Sequence, residues 1–212
     1  GIPEVLREAG VEHLPKVKIA VLVGTDLDPS KSKRPPALPG ITVNTLWGEI
    51  ASQLAIAANR PELYDIVKEA DKKGVAPGRE AMKTLFDACG PCMILIDEFV
   101  RYANKIYGAD KLPAGTFDNL MTFIQELAEA AATSQNSLVV ASIPESNIEI
   151  GDGPSGKMAL QSIEKFFGRI ESVWTPVEPT ESFEIVRRRL FKSCDDEEAR
   201  NVVCAKFTKM YY

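Results

Sequence analysis

Short apolar runs alternate with longer amphipathic segments along the chain. Three runs of consecutive apolar residues indicate buried strands, at residues 19–23, 93–96 and 138–141. Because these runs lack polar alternation, they are typical of parallel strands that are covered on both faces. A weaker fourth strand is predicted at residues 170–174.

Segments with helical periodicity lie between the predicted strands. Helices are predicted at residues 3–9, 46–57, 61–72, 79–89, 118–133 and 158–167. Strands that alternate with helices predict an α/β domain with right-handed crossovers. Beyond residue 176 the pattern changes to two helices, at residues 184–191 and 195–212, so we place a domain boundary near residue 178.

Composition narrows the class of protein. The chain has 212 residues, of which 45% are hydrophobic and 26% charged, as expected of a globular protein with its own core. No apolar run approaches the ~18 residues of a membrane span, and four cysteines are too few for a disulfide scaffold, so we expect a protein of the reducing cytoplasm without a membrane contact. The net charge of −5 disfavours a uniformly basic surface, and the single histidine, His13, disfavours a histidine-based triad or metal site.

The strongest chemical signal is a pair of carboxylates at the end of the second predicted strand. Asp97 and Glu98 directly follow the apolar run at residues 93–96. The first carboxylate of such a pair can hold a hydrated Mg²⁺, and the second can polarise an attacking water. The alternative is a strand that simply ends at acidic surface residues.

Two further residues extend this candidate site. Ser142 follows the third predicted strand, and its hydroxyl lies beside Asp97 if the two strands are neighbours. Ligands of open α/β sheets bind at this carboxyl edge. Arg169 lies between the predicted helix at residues 158–167 and the weak fourth strand.

Two other motifs resemble known sites but lack their context. Residues 89–92 read Cys-Gly-Pro-Cys, as in a thioredoxin active site, but here a helix precedes the motif and a strand follows it, which favours a plain turn. Residues 151–157 fit the spacing of a phosphate-binding loop, but Met158 stands where the Mg²⁺-binding hydroxyl belongs. A glycine-rich loop without phosphate contacts is the preferred interpretation.

The order of these parts resembles the AAA+ ATPases, in which Walker B carboxylates, a polar sensor, an arginine and a helical lid follow one another. Segments at residues 22–25, 46–50, 95–98 and 185–191 look more specifically like the Domain of Unknown Function 499 family, over most of residues 15–192. The resemblance implies a P-loop NTPase-like parallel sheet sandwiched by helices over residues 1–178, and the start of a C-terminal lid over residues 179–212.

The resemblance also implies functional roles. Asp97 becomes the Mg²⁺ ligand, Glu98 the water activator, Ser142 the first sensor and Arg169 an arginine finger. ATP and Mg²⁺ are the implied cofactors, and a homo-oligomer with DNA or DNA-modifying partners in phage defence is the implied setting. No phosphate-binding loop precedes Asp97, so we expect the first strand and its loop upstream of residue 1, and this piece alone to be inactive.

Two alternative functions remain open. One is a non-hydrolysing AAA+-like scaffold for protein or nucleic-acid contacts, for which Arg187, Arg188 and Arg189 offer a basic stretch. Three consecutive helical residues point in different directions, however, so a solvated face is the simpler interpretation. The other is a thiol oxidoreductase, which depends wholly on Cys89 and Cys92.

Overall fold

In the computed structural model a three-stranded parallel sheet organises the first part of the chain. The structure describes residues 2–142, 157–158, 161, 179–190 and 196–211. The chain divides into two compact units, Gly1–Glu171 and Ser172–Tyr212. The boundary near residue 178 and the identity of the second unit as a lid stay predictions.

The sheet consists of β1 (Lys18–Val23), β2 (Cys92–Asp97) and β3 (Ser137–Ala141), in that spatial order and all parallel. The three strongly predicted strands and the α/β class are therefore confirmed. The fourth strand predicted at residues 170–174 lies outside the described residues.

Helices precede, connect and follow the strands. They are α1 (Ile2–Glu8), α2 (Leu46–Ala58), α3 (Lys68–Lys73), α4 (Arg79–Cys89), α5 (Phe99–Ile106), α6 (Phe117–Thr133), α7 (Pro179–Leu190) and α8 (Glu197–Tyr211). Among the helices of the described residues, none combines the length and the apolar character that a membrane crossing needs.

Two helix predictions need correction. The single helix predicted at residues 61–72 is a 3₁₀ helix, Pro61–Ile66, followed by α3, because Val67 leaves the helical path with φ −112° and ψ −2°. Helix α5 was not predicted, since it is only eight residues long and its apolar pattern continues that of β2. The helix predicted at 158–167 falls largely outside the described residues.

The core lies on one face of the sheet. Ala20, Leu22, Ile94 and Ile96 are at most 4% exposed and join one apolar cluster with helices α2, α4, α5 and α6. On the opposite face the outer strands expose apolar side chains by about half. These are Ile19, Val21, Leu138 and Val140. Among the described residues the helices of the core cover one face, and the coverage of the second face stays a prediction.

A buried carboxylate fixes the start of α2. Both oxygens of Asp71, which is 0% exposed, accept hydrogen bonds: Oδ1 from the backbone N–H and hydroxyl of Thr45, and Oδ2 from the Tyr64 hydroxyl at 2.6 Å. The Asn44 N–H adds a contact of 3.2 Å to each oxygen. A Cβ at Gly48 would lie 2.1 Å from Oδ1, so only glycine fits in this first turn. Asp71 thus joins α3 to the start of α2.

The outer edge of β1 is occupied by a side chain. The Val21 N–H donates to Gln53 Oε1 at 2.7 Å, and Gln53 Nε2 donates back to the Val21 carbonyl at 2.9 Å. The primary amide of Gln53 therefore satisfies both backbone groups that Val21 directs away from β2.

Candidate functional site at the carboxyl ends of the strands

Polar side chains from three loops meet where the parallel strands end. Gly24 and Thr25 follow β1, Glu98 follows β2, which itself ends at Asp97, and Ser142 follows β3. The backbone ladder continues one step beyond the strands, because the Gly24 N–H donates to the Asp97 carbonyl at 2.8 Å and the Ser142 N–H to the Ile96 carbonyl at 2.9 Å. These bonds bring the three loop starts side by side.

Asp97 and Ser142 lie in direct contact. The Ser142 hydroxyl donates to Asp97 Oδ1 at 2.5 Å, and the Glu98 N–H donates to the same oxygen at 2.9 Å. The Glu98 N–H also lies 3.2 Å from the Ser142 hydroxyl. Asp97 Oδ2 accepts no hydrogen bond from the residues that the structure describes. One oxygen of this carboxylate is therefore held in place and the other is available.

Glu98 has an unusual backbone. Its φ of 50° and ψ of 37° lie in the left-handed region, which non-glycine residues seldom adopt and which costs about 1–2 kcal/mol. The residue that follows β1 packs tightly against Glu98, since a Cβ at Gly24 would lie 2.1 Å from the Glu98 carbonyl oxygen. Strain of this kind is concentrated at functional sites, so the observation favours a functional role for the turn.

The Glu98 carboxylate is partly exposed and held from two sides. The Thr25 hydroxyl donates to Glu98 Oε2 at 2.6 Å, and Arg101 Nε lies 3.4 Å from Oε1. The side chain remains 39% exposed. It is therefore oriented by its neighbours and still open to solvent.

A lysine stabilises the loop that carries Thr25. Lys105 Nζ, on α5, donates to the carbonyl oxygens of Gly24 at 3.0 Å, Thr25 at 2.8 Å and Leu27 at 2.8 Å. Its three N–H groups are matched by three acceptors, which otherwise have no partner in a regular element. Lys105 thus ties α5 to the end of β1.

The cluster is chemically suited to a hard divalent cation. Carboxylate and hydroxyl oxygens are the ligands of Mg²⁺, which commonly uses one or two carboxylates, several waters and the phosphates of a substrate. Asp97 Oδ2 supplies such an oxygen at the mouth of the cluster. Nearby, Glu98 provides a carboxylate that can accept a proton.

The Cys-Gly-Pro-Cys motif is a buried turn. Cys89 ends α4 and Cys92 begins β2, as the sequence order predicts, and they are 3% and 2% exposed. A hydrogen bond with the Cys92 thiol lowers the pKa of Cys89 to about 7, and the same contact raises that of Cys92. Because neither sulfur reaches the surface, the pair is not placed to react with a protein substrate.

The remaining predicted residues are not part of the cluster as described. Arg169 and residues 151–156 of the glycine-rich loop lie outside the described residues. In α7, Arg187 and Arg188 both pair with Glu184, at 2.6 and 2.9 Å, and lower its pKa to about 2. Two of the three consecutive arginines are thereby engaged within their own helix.

Sequence reasoning assigned no role to Thr25 or Lys105. The argument that places Ser142 at the carboxyl edge of the sheet also applies to Thr25, because Thr25 lies just after a parallel strand. Lys105 carries no local signal: its partners lie 78 to 81 residues earlier in the chain.

Fold and site together define a parallel α/β domain with a cluster of carboxylate and hydroxyl groups at the carboxyl edge of its sheet. The family model of the DUF499 N-terminal domain matches residues 7–179. The match covers most of the chain, so the protein belongs to this family. Neither the curated proteins nor the solved structures include one that matches the chain.

Proposed function

We propose that the protein is the ATP-binding and ATP-hydrolysing core of a larger Mg²⁺-dependent, AAA+-type ATPase. The observation that carries the proposal is the contact between Asp97 and Ser142 on neighbouring parallel strands, beside a glutamate with a left-handed backbone. Structural ion pairs at a strand end need no such strain. A site that orients a carboxylate toward a ligand accounts for it.

In this proposal Asp97 would hold Mg²⁺ through Oδ2 while Ser142 fixes its other oxygen. The chemistry supplied there would be positive charge against the phosphates of ATP. Glu98 accepts the proton of the attacking water, and Thr25 positions the Glu98 carboxylate through its hydroxyl. In this proposal the groups that hold the triphosphate lie outside the described residues.

The test is Glu98→Gln in the intact protein. The amide keeps the size of the side chain but cannot accept a proton, so ATP binding is retained and hydrolysis falls by about 10²–10⁴-fold. Calorimetry measures binding and phosphate release measures turnover. Glu62→Gln is the matched control, because Glu62 is also an exposed glutamate paired with an arginine, Arg60, at 2.8 Å. Equal hydrolysis by Glu98→Gln and the control would contradict the proposal.

A non-hydrolysing scaffold is the second candidate. The exposed apolar residues Ile19, Val21, Leu138 and Val140 favour it, because an exposed apolar face is suited to a protein partner. The same experiment separates the two functions. A scaffold shows no Mg²⁺-dependent phosphate release in the parent protein, whereas the ATPase does.

A further inference from the structure

A cleft of about 480 Å³ opens beside β1 and the loop that follows it. Its apolar wall consists of Val21, Val23, Leu27 and Val43. Helix α2 contributes Glu49 and Gln53 to the polar wall, and helix α5 contributes Tyr102. The lining of the cleft therefore combines aliphatic side chains with polar ones.

One hydroxyl that lines this cleft has no partner among the described residues. Tyr102 is 3% exposed, and its hydroxyl makes no hydrogen bond to any residue that the structure describes. Burial, followed by the nearby carboxylates of Asp71, Glu49 and Asp28, raises the pKa of Tyr102, so the phenol is neutral. Because the hydroxyl lines the cleft and has no protein partner, it is available to bond to a ligand there.

Two carboxylates of the cleft also have unused oxygens. Glu49 is 4% exposed, and its Oε1 accepts from Lys33 at 2.6 Å and from Gln53 at 2.8 Å. Within the described part of the chain, Glu49 Oε2 and the Asp26 carboxylate have no hydrogen-bond or ion-pair partner. Together with Tyr102, the cleft offers three groups that can accept hydrogen bonds.

The charges of the cleft favour a cation. Lys33 is paired with Glu49 at 2.6 Å, and Lys31 with Asp28 at 2.9 Å. Each lysine is therefore matched by one carboxylate, and Asp26 leaves the lining with a surplus negative charge. An anionic ligand would be repelled by that charge, and a neutral ligand would leave it unpaired.

We propose that this cleft binds an ammonium or guanidinium group carried on an aliphatic chain. The cation donates to Asp26, Glu49 and Tyr102, and its methylene groups pack against the valines of β1. An ammonium has three N–H donors, one for each of these three groups. The same chemistry is offered by a lysine or arginine side chain of a partner protein and by a free polyamine.

The first experiment titrates n-butylammonium into the isotopically labelled protein and follows its NMR spectrum. We expect saturable shifts at Tyr102 and Glu49 that weaken with added salt, and much weaker binding of 1-butanol, which has the same chain without the charge. Equal affinity for the alcohol, or no saturable shifts, would overturn the proposal.

Variants then test the contacts. Asp26→Asn changes an exposed residue, and Tyr102→Phe removes only the unpartnered hydroxyl, so both are expected to fold. Losing a hydrogen bond to a charged group corresponds to about tenfold weaker binding, which we expect for Asp26→Asn, with a several-fold loss for Tyr102→Phe. Asp110→Asn, an exposed aspartate that does not line the cleft, is the matched control. Unchanged binding in both test variants would refute the site.

A final comparison identifies the source of the cation. Spermidine and the capped peptide acetyl-Ala-Lys-Ala-amide carry the same ammonium chemistry. Tighter binding of spermidine identifies a free polyamine, and tighter binding of the peptide identifies a partner protein. Binding of neither to the parent protein would contradict the proposal.

Discussion

Asp71 and Asp97 show how the same side chain builds structure in one region and offers chemistry in another. Asp71 is fully buried, and both of its oxygens accept hydrogen bonds from the start of α2 and from Tyr64. Asp97 is exposed at the end of β2, where one oxygen is held by Ser142 and the other has no partner among the described residues. A saturated carboxylate has no capacity left for a ligand, whereas a half-saturated one does.

The same contrast applies to the two tyrosines near these groups. The Tyr64 hydroxyl donates to Asp71 Oδ2 at 2.6 Å and lies 2.9 Å from the Thr42 carbonyl. The Tyr102 hydroxyl has no such contact in the described part of the chain. The number of hydrogen-bond partners, more than residue type or burial, therefore distinguishes residues that hold the fold together from residues that could bind a ligand.

The largest difference in stability is expected between the variants in which asparagine replaces Asp71 or Asp97. Asp71→Asn places an amide N–H₂ against donors, whichever way it is turned, so we expect it to lower the free energy of unfolding by about 2 kcal/mol or more. Asp97→Asn keeps Oδ1 as the acceptor for Ser142 and Glu98, so its cost stays within about 0.5 kcal/mol. Urea denaturation measures both. Similar losses for the two variants would show that the contrast in hydrogen bonding does not govern stability.

A smaller effect is expected from the tyrosines. Tyr64→Phe leaves Asp71 without one of its donors and is expected to cost about 1–3 kcal/mol. Tyr102→Phe removes a hydroxyl that bonds to no described residue and, without ligand, is expected to change stability by less than about 0.5 kcal/mol. Thermal unfolding of the two variants, measured side by side, tests this. A Tyr102→Phe loss as large as that of Tyr64→Phe would disprove the assignment of an unpartnered hydroxyl.

The smallest effect, of opposite sign, is expected at Glu98. Glycine adopts the left-handed backbone without strain, but it costs more entropy on folding, so Glu98→Gly is expected to raise the free energy of unfolding by up to about 1 kcal/mol. Glu98→Gln keeps the strain and leaves stability unchanged. Urea denaturation distinguishes the two, and a clear loss of stability in Glu98→Gly would mean that Thr25 and Arg101 stabilise the fold through this side chain.

Much of the sheet could be predicted from the sequence, because buried strands need uninterrupted apolar runs. The contact of Ser142 with Asp97 followed from the same reasoning, since parallel neighbours end at one edge. The left-handed backbone of Glu98 was not predictable, because it depends on the close approach of Gly24, which is 74 positions away in the chain. The division of residues 61–72 into two helices also depends on tertiary contacts, notably the burial of Asp71 under α2.

The side-chain amide of Gln53 blocks strand pairing at one position on the outer edge of β1. An exposed strand edge pairs readily with any extended chain, and such pairing is a common route to aggregation. At Val21 the donor and the acceptor of that edge are already occupied by an amide that imitates one residue of a neighbouring strand. An extended segment of another molecule therefore cannot pair with β1 at Val21. Replacing Gln53 would free these backbone groups for self-association without altering the residues at the carboxyl ends of the strands.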